Sequence, residues 1–230
     1  MAVLGKGSLF FWHDLNEGFE SDYEAWHSQE HMPERLRLPG FLRARRYRNT
    51  GLGPKWVIWY EVSDTPILTG AEYLARLNDP TPWTRWIIAE CRHTSRTACA
   101  VTASFGRGVG AFLLTLRMAP AEGRIGDLKK WLTDLVLPGL VSRPGLSGAH
   151  LLVGDPERSR IETEERKLMS DPGEIAEWVV LVEAYDDVAL RAAALSLFAP
   201  GEPEKHGAAP GFEKAIHILR HTLSREDCGG

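Results

Sequence analysis

The sequence predicts an α+β fold in which two tandem β-α-β-β-α-β repeats close into one intramolecular α/β barrel. One order of strand-like and helix-like segments occurs twice within 230 residues. A Pro-Gly break recurs 105 positions on, at Pro39 and Pro144, and an apolar run that begins with tryptophan recurs 122 positions on, at Trp56 and Trp178. The difference of 17 positions predicts an insertion at Asp155–Glu177, whose charges are typical of a solvated loop.

Apolar periodicity defines the elements of the first half. Short runs rich in aromatic and β-branched residues predict strands, and apolar residues every three to four positions predict helices. The Pro39-Gly40 pair ends the first helix. In order, the predicted elements are a strand at Leu9–Leu15, a helix at Phe19–Leu36, strands at Phe41–Asn49 and Trp56–Val62, a helix at Ile67–Leu77 and a strand at Thr97–Phe105.

The second half follows the same order after the glycine-rich segment Gly106–Gly110, which separates residues 1–107 from residues 108–230. We interpret these two ranges as the first and second repeat. The predicted elements of the second repeat are a strand at Ala111–Met118, a helix at Ile125–Val141, strands at Ala149–Val153 and Trp178–Ala184, a helix at Val188–Phe198 and a strand at Lys214–Leu223.

The β-α-β-β-α-β order is that of a ferredoxin-like unit. Such a unit forms a four-stranded antiparallel sheet with helices on one face, so its other face must be buried. Two copies in one chain bury these faces against each other by closing an eight-stranded barrel. We expect the barrel interior to be the ligand pocket.

The composition, 43% hydrophobic and 25% charged, is that of an ordinary globular protein. A formal net charge of −4 excludes a basic nucleic-acid footprint over the whole chain. No apolar run approaches the ~18 residues of a membrane span, and the N-terminus lacks a signal-peptide pattern. The three cysteines show no C-x-x-C spacing, which favours reduced thiols. We therefore expect a cytoplasmic protein without membrane or nucleic-acid partners.

Residues 23–35, with the sequence YEAWHSQEHMPER, are followed by Pro39-Gly40-Phe41 and Arg46-Tyr47. Together they resemble the dimeric α/β-barrel superfamily and are most similar to its EthD-like and muconolactone-isomerase-like branches, which carry a similar W-x(3)-E-H-x-P segment. The resemblance covers the first half of the chain, and the second half follows by pattern only. It implies small-molecule chemistry, because members include cofactor-independent isomerases and monooxygenases and, in more distant branches, haem-binding enzymes.

Two histidines and a glutamate lie on one side of the first predicted helix. His27, Glu30 and His31 stand at positions i, i+3 and i+4. Groups this close perturb one another's pKa values and can supply a base and an acid near neutral pH. A solvated helix face with ion pairs is the alternative. The positions 105 residues later are apolar, namely Leu132, Leu135 and Val136. This contrast favours an active site in the first repeat and a degenerate second repeat.

The segment His27–His31 also matches the zinc-peptidase motif H-x-x-E-H. That motif needs a third ligand and a peptidase fold, whereas the surrounding pattern is ferredoxin-like. We therefore expect no resident cofactor, and we leave haem or a divalent metal open.

Strand alternation adds candidates on the sheet face away from the helices. Trp59, Glu61 and, in the second repeat, Glu183 fall on this face. A carboxylate buried there is costly unless it is paired or protonated, so both glutamates are functional candidates. The alternatives are carboxylates at a strand end in water and aromatic residues that only fill the core. The remaining candidates are Trp12, Asp14, Arg46, Tyr47 and Arg117.

We expect an enzyme, an isomerase or a lyase, that transfers a proton on a hydrophobic or aromatic small molecule inside the barrel. His31 is the favoured acid or base, His27 and Glu30 tune it, and Glu61 or Asp14 is the second such group. A cofactor-free monooxygenase, a haem-binding barrel and a non-catalytic ligand-binding barrel are the alternatives. The sequence leaves open whether two such chains form a homodimer and whether the predicted insertion is a lid.

Overall fold

A computed structural model describes residues 3–169 and 173–229 of the chain. Its strands are β1 (Gly7–Leu15), β2 (Phe41–Asn49), β3 (Trp56–Val62), β4 (Cys91–Gly106), β5 (Phe112–Met118), β6 (Leu146–Gly154), β7 (Trp178–Ala184) and β8 (Glu213–Ser224). They pair in the order β1-β3-β2-β8-β5-β7-β6-β4 and close into one antiparallel barrel. The predicted fold class is confirmed, and the predicted bounds of β2, β3 and β7 agree with the structure.

The helices alternate with the strands in the predicted order. They are α1 (Glu20–Trp26), α2 (Met32–Arg37), α3 (Ala71–Asn78), α4 (Pro82–Ile88), α5 (Ile125–Lys130), α6 (Leu137–Val141), α7 (Pro156–Ser159), α8 (Glu164–Lys167), α9 (Asp187–Ser196) and α10 (Glu202–Lys205). Single 3₁₀ segments occupy Thr65–Thr69 and Glu226–Cys228. Within residues 3–169 and 173–229, no helix combines the length and the apolar character needed to cross a membrane.

Helix α4 is absent from the sequence prediction, because prolines at positions 80 and 82 indicate a break. In the structure, α4 begins at Pro82. Proline suits the first position of a helix, because the N–H that it lacks has no partner within the helix there and its fixed φ is already helical. Thr81 caps the helix, since its side-chain oxygen accepts a hydrogen bond from the Thr84 amide at 3.0 Å. The same residues that stop one helix therefore start the next.

Both long predicted helices contain a π-helical turn, at His27–His31 and at Trp131–Val136. In each, the amide that follows the turn bonds to the carbonyl five positions back. A proline occupies the second position after each turn, at Pro33 and Pro138. Proline lacks an N–H and crowds the carbonyl four residues back, and a wider turn relieves that conflict. The π turn is thus a consequence of the proline in both helices and not in itself a mark of function.

The two Pro-Gly breaks have one physical cause. Gly40 and Gly145 adopt φ of +87° and +91°, a left-handed conformation that L side chains rarely adopt. A Cβ on Gly40 would lie 2.7 Å from the Ile67 side chain, and one on Gly145 would lie 2.4 Å from the Ala189 Cβ. Only glycine fits these helix ends, which explains why the motif is found in both halves.

The chain divides into two compact units. The N-terminal unit comprises the described residues of Leu4–Ala100, Asp155–Ile175 and Arg220–Gly230, and the C-terminal unit comprises those of Met1–Val3, Val101–Gly154 and Ala176–Leu219. Strands β4 and β8 each contribute residues to both units. The units therefore differ from the predicted repeats at 1–107 and 108–230, and the duplication itself stays a prediction.

The described residues of Asp155–Ile175, which make up most of the predicted insertion, belong to the N-terminal unit, although they follow a strand of the C-terminal unit. The charges of this segment predict a solvated loop, and the structure shows two short helices in it, α7 and α8. Asp155 caps α7 by accepting a hydrogen bond from the Arg158 amide at 3.0 Å, and Thr163 caps α8 through the Arg166 amide at 3.2 Å. The three residues 170–172 of this segment lie outside the described residues.

Candidate functional site

A cavity of about 80 Å³ lies in the N-terminal unit between the sheet and its helices. The sheet contributes Leu9, Phe11, His13, Ile58, Tyr60 and Arg96. The first helix contributes Tyr23, Trp26, His27, His31 and Arg35. The inserted segment contributes Ile161, Thr163, Glu165, Arg166 and Met169. The cavity is thus on the helix side of the sheet, whereas the sequence pattern predicts a pocket in the barrel interior.

The opposite face of this sheet is filled by aromatic rings. Phe10 stacks on Trp12 at 5.1 Å and on Trp59 at 5.5 Å between ring centroids. The Arg45 guanidinium lies 4.1 Å from the centroid of the Trp59 ring, and it donates to the Tyr47 hydroxyl at 3.2 Å. Alternation therefore predicts the face of Trp12 and Trp59 correctly. Neither of them lines the cavity, and neither does Tyr47.

Three histidines meet at the cavity wall. His27 and His31 lie side by side, with ring centroids 5.6 Å apart, and His13 on β1 joins them. Strand alternation places His13 on the helix side, where a satisfied core histidine is the usual interpretation. His13 is buried, and neither of its ring nitrogens forms a hydrogen bond of good geometry among the described residues. Strand alternation places His13 on the sheet face that the first helix covers. Combined with the positions of His27 and His31 on that helix, this pattern could identify His13 from the sequence.

Arg46 determines which nitrogen of His27 carries the proton. Arg46 Nη1 lies 3.4 Å from His27 Nδ1, and a guanidinium can only donate, so Nδ1 is the acceptor. In a neutral ring the proton is then on Nε2, which lies 3.4 Å from the Tyr60 hydroxyl oxygen. Because Tyr60 accepts this bond, its own hydroxyl hydrogen can be donated to a ligand. Arg46 thus contacts the histidine and is not among the residues that line the cavity.

Burial lowers the pKa of each of the three histidines. For His13 the pKa falls from 6.5 to about 3, first through burial and second through the nearby Arg46 charge. For His27 and His31 it falls well below the usual value, again mainly through burial. The second contribution is His31 for His27 and Arg35 for His31. All three imidazoles are therefore neutral at pH 7.

Two tyrosines and a cysteine complete the polar wall. Burial raises the pKa of Tyr23 and of Tyr60, so both phenols are protonated at neutral pH. Burial also raises the pKa of Cys91 to about 12, which excludes a thiolate nucleophile there. Within the part of the chain that the structure describes, Tyr23 Oη and His31 Nδ1 have no hydrogen-bond partner. Buried polar atoms without partners are costly, and a polar ligand group would satisfy them.

Glu30 does not line the cavity, although it stands between His27 and His31 in the sequence. Its carboxylate accepts hydrogen bonds from the Thr81 and Thr84 hydroxyls at 2.6 and 3.1 Å. Thr84 in turn accepts from the Trp26 indole N–H at 3.1 Å. Glu30 therefore ties the π turn to the start of α4, which is a positioning contact.

Glu61 is completely buried on the face away from the cavity. It accepts two hydrogen bonds from Arg43, both at 2.8 Å, and one from the Leu4 amide at 2.6 Å. Its Oε1 also lies 2.5 Å from Arg45 Nη2. From the sequence, Glu61 is either a functional carboxylate or a carboxylate in water at a strand end. The structure shows a third arrangement, a carboxylate enclosed by donors.

The other predicted charged residues have partners of their own. Asp14 accepts from the Lys55 amide at 2.7 Å and lies 3.1 Å from His93 at the surface. Arg117 forms an ion pair with Glu213 in the C-terminal unit. Asp14 and Arg117 are not among the residues that line the cavity.

Glu183 is buried in the C-terminal unit. It accepts from the Gly110 amide at 3.0 Å and lies 3.2 Å from His150 Nε2. His150 Nδ1 lies 2.9 Å from the Ser104 hydroxyl oxygen. These contacts satisfy the carboxylate, which is not part of the cavity wall.

Arg35 and Glu165 were absent from the candidates. Both are buried and form an ion pair across one side of the cavity. Burial lowers the pKa of Arg35, but the facing carboxylate more than offsets this, so the pKa is raised above its ordinary value. No local sequence pattern links a residue of the insertion to the first helix, so sequence reasoning could not find this pair.

The zinc-peptidase match in His27–His31 is not accompanied by a ligand set. Within residues 3–169 and 173–229, no group of three or more His, Cys, Asp or Glu side chains is arranged to hold a metal ion.

No family model matches the chain, and no curated protein matches it. Among solved structures, it is similar to an anthrone oxidase-like protein, with a TM-score of 0.62 and 11% identity over 95% of this chain and 92% of the other. It is equally similar to a monooxygenase-like protein of Fusobacterium nucleatum, with a TM-score of 0.62 and 8% identity over 96% of each chain. A chlorite dismutase-like protein gives a TM-score of 0.55 and 12% identity over 99% of each.

These similarities show the fold. The chain shares with these structures an α+β fold in which eight antiparallel strands close into one barrel. The architecture is compatible with a small-molecule ligand. Membership of the EthD-like branch stays a prediction.

Proposed function

We propose that the chain is an enzyme that binds a small aromatic molecule in the cavity and removes a proton from it with a neutral imidazole. One observation carries this proposal, namely a buried imidazole nitrogen without a hydrogen-bond partner in the described residues, Nδ1 of His31, a residue that lines the cavity beside aromatic side chains. A general base must be unprotonated and within hydrogen-bond reach of its proton. His31 meets the first condition because its pKa is lowered mainly by burial.

His31 is the better base of the two predicted histidines. Both nitrogens of His27 face protein partners, Arg46 and Tyr60. In this arrangement His27 holds the Tyr60 hydroxyl with its hydrogen available for the ligand. A donated hydrogen bond at the oxygen where charge develops stabilises the transition state. We therefore assign His31 as base, Tyr60 as hydrogen-bond donor and His27 as the residue that positions Tyr60.

The lowered pKa of His31 limits which substrates this imidazole can deprotonate. A weakly basic imidazole removes only a proton that is already acidic, such as a phenolic O–H or a C–H beside an aromatic ketone. Return of the proton to another carbon gives isomerisation, the outcome that the sequence analysis favours. Oxygenation is the second candidate, in which a methylene and O₂ give a carbonyl and water, with the substrate as the reductant. The names of the oxidase-like and monooxygenase-like structural neighbours favour this second outcome.

Haem does not fit the cavity in this conformation. A volume of about 80 Å³ is below the roughly 300–1,000 Å³ of pockets for larger ligands, and a four-ring macrocycle needs far more than one aromatic ring.

Hydrogen–deuterium exchange tests the proton-transfer step without knowledge of the natural substrate. One- and two-ring aromatic ketones, from phenylacetone to 2-tetralone, are incubated with the protein in D₂O, and loss of the α-proton is followed by NMR. We expect catalysed exchange that falls about 100-fold in His31→Asn. His93→Asn is the matched control, because His93 is exposed at the surface and does not line the cavity.

Unchanged exchange in His31→Asn, or no catalysed exchange with any ketone, contradicts the proposal. An oxygen electrode run in parallel separates the two outcomes. Oxygenation consumes O₂ at the rate of ketone loss, whereas isomerisation consumes none.

A further inference from the structure

Arg96 is one of three arginines in the cavity wall, together with Arg35 and Arg166. It pairs with Phe11 across β4 and β1, so the two side chains share one face of the sheet. Both residues line the cavity. The three histidines beside it are neutral at pH 7, so they do not contribute charge to the wall.

The hydrogen bonds of Arg96 go to backbone carbonyls. Its Nη1 donates to Arg158 O at 2.6 Å and to Ser159 O at 3.2 Å. Its Nη2 is buried and has no hydrogen-bond partner within residues 3–169 and 173–229. Carbonyls satisfy donors but do not balance a charge, and no carboxylate of the described chain forms an ion pair with Arg96.

Two other arginines of the N-terminal unit, Arg35 and Arg46, each lie near a carboxylate, unlike Arg96. Arg35 is balanced by the Glu165 carboxylate, and Arg46 has Glu24 at 3.7 Å. A partly buried cation without a counter-charge is costly, and a ligand anion would remove that cost. Arginine is also the side chain best suited to binding carboxylates through paired hydrogen bonds.

We propose that the ligand of this cavity carries an anionic oxygen group, a carboxylate or a phenolate, and that the Arg96 guanidinium binds it. This inference rests on the proposed function, because it assumes that the cavity is the ligand site. It also suits the chemistry, since a fixed positive charge near a weak base favours the conjugate anion of the substrate.

Arg96 could instead only hold the inserted segment through its two carbonyl contacts. Matched ligand pairs separate the two roles. Benzoate and benzamide have nearly the same shape but differ in charge, and calorimetric titration gives the affinity of the protein for each at pH 7. A second pair, 4-nitrophenolate and nitrobenzene at pH 8, tests whether the protein prefers a phenolate to a neutral compound of similar shape.

We expect the unmodified protein to bind at least one anion more tightly than its neutral partner. Arg96→Gln should weaken that anion about 10- to 100-fold, the range of a charged hydrogen bond, and change the neutral partner by less than about threefold. Arg96→Lys, which keeps the charge, should lose less than Arg96→Gln. Arg107→Gln, an equal charge change at an exposed residue outside the cavity wall, should leave all affinities unchanged. Whichever pair shows the effect identifies the anion.

Equal weakening of the anion and its neutral partner in Arg96→Gln overturns the inference and assigns the residue to holding the segment. Equal or absent binding of both pairs by the unmodified protein overturns it as well. Neither result decides the proposed function, which depends on α-proton exchange and its loss in His31→Asn.

Discussion

The Glu165 carboxylate, on helix α8 of the inserted segment, forms an ion pair with the Arg35 guanidinium on α2, the helix that directly follows His31. The two side chains are 7% and 2% exposed, so the pair is screened little by water. The segment that contributes residues 161–169 to the cavity wall is therefore attached to the helix next to the proposed base. The ion pair is thus a direct contact between α8 and α2 at the cavity wall.

Loss of one partner of this pair should be strongly destabilising. Glu165→Gln leaves the Arg35 charge buried without a counter-charge, which costs about 3–5 kcal/mol. Urea unfolding at pH 7 measures the change in the free energy of unfolding. Glu164→Gln is the control, because Glu164 forms an exposed pair with Lys167 at 2.7 Å and should change stability by less than about 1 kcal/mol. Similar losses in the two variants would show that burial gives the pair no special role.

Glu61 should matter for stability and not for proton transfer. Glu61→Gln removes the counter-charge of Arg43 and Arg45, so we expect a loss of about 3 kcal/mol in the free energy of unfolding. Because Glu61 lies on the sheet face away from the cavity, the rate of α-proton exchange per folded molecule should stay within about threefold of the unmodified rate. If Glu61→Gln lost most of the exchange activity while its stability stayed unchanged, Glu61 would have a role in catalysis.

Much of the fold could be predicted from the sequence because local patterns carry it. Alternation and helical spacing place the strands, and the Pro39-Gly40 break marks a backbone conformation that only glycine adopts readily. Helix α4 was missed because Pro82 has opposite meanings inside a helix and at its start. The position of the inserted segment was also missed, since its contact with Arg35 joins residues 130 positions apart.

The candidate site was predicted in part for similar reasons. His27 and His31 share one side of a helix, and the residues at the corresponding positions of the second half are apolar. A local sequence pattern therefore indicates both histidines. His13 and Tyr60 could be placed on a face by alternation, but only the tertiary structure shows their polar atoms around one cavity. The side of the sheet that holds the cavity depends on how fully aromatic rings fill the other side, which composition does not reveal.

Glu30 should act as a positioning residue. Glu30→Ala removes the acceptor of the Thr81 and Thr84 hydroxyls, so we expect a loss of about 1–3 kcal/mol in stability. Glu30→Gln keeps one acceptor oxygen and should recover at least half of that loss. Both variants should change the rate of α-proton exchange less than His31→Asn does. If Glu30→Gln were as inactive as His31→Asn while as stable as the parent, the carboxylate charge would be needed in the reaction.

Stability should fall in acid because neutral histidines are buried. The pKa values of His13 and His217 are lowered from 6.5 to about 3 in the folded chain, mainly by burial and second by a nearby arginine. Between these values the unfolded chain binds a proton that the folded chain does not, so the free energy of unfolding decreases as the pH falls from 6.5 towards 3. Each histidine contributes about 1.4 kcal/mol per pH unit. Urea unfolding at pH 7, 6, 5 and 4 measures this slope. His13→Leu should reduce it by one such contribution, and His13→Leu with His217→Leu by two. An unchanged slope in both variants would mean that these histidines are protonated in the folded state.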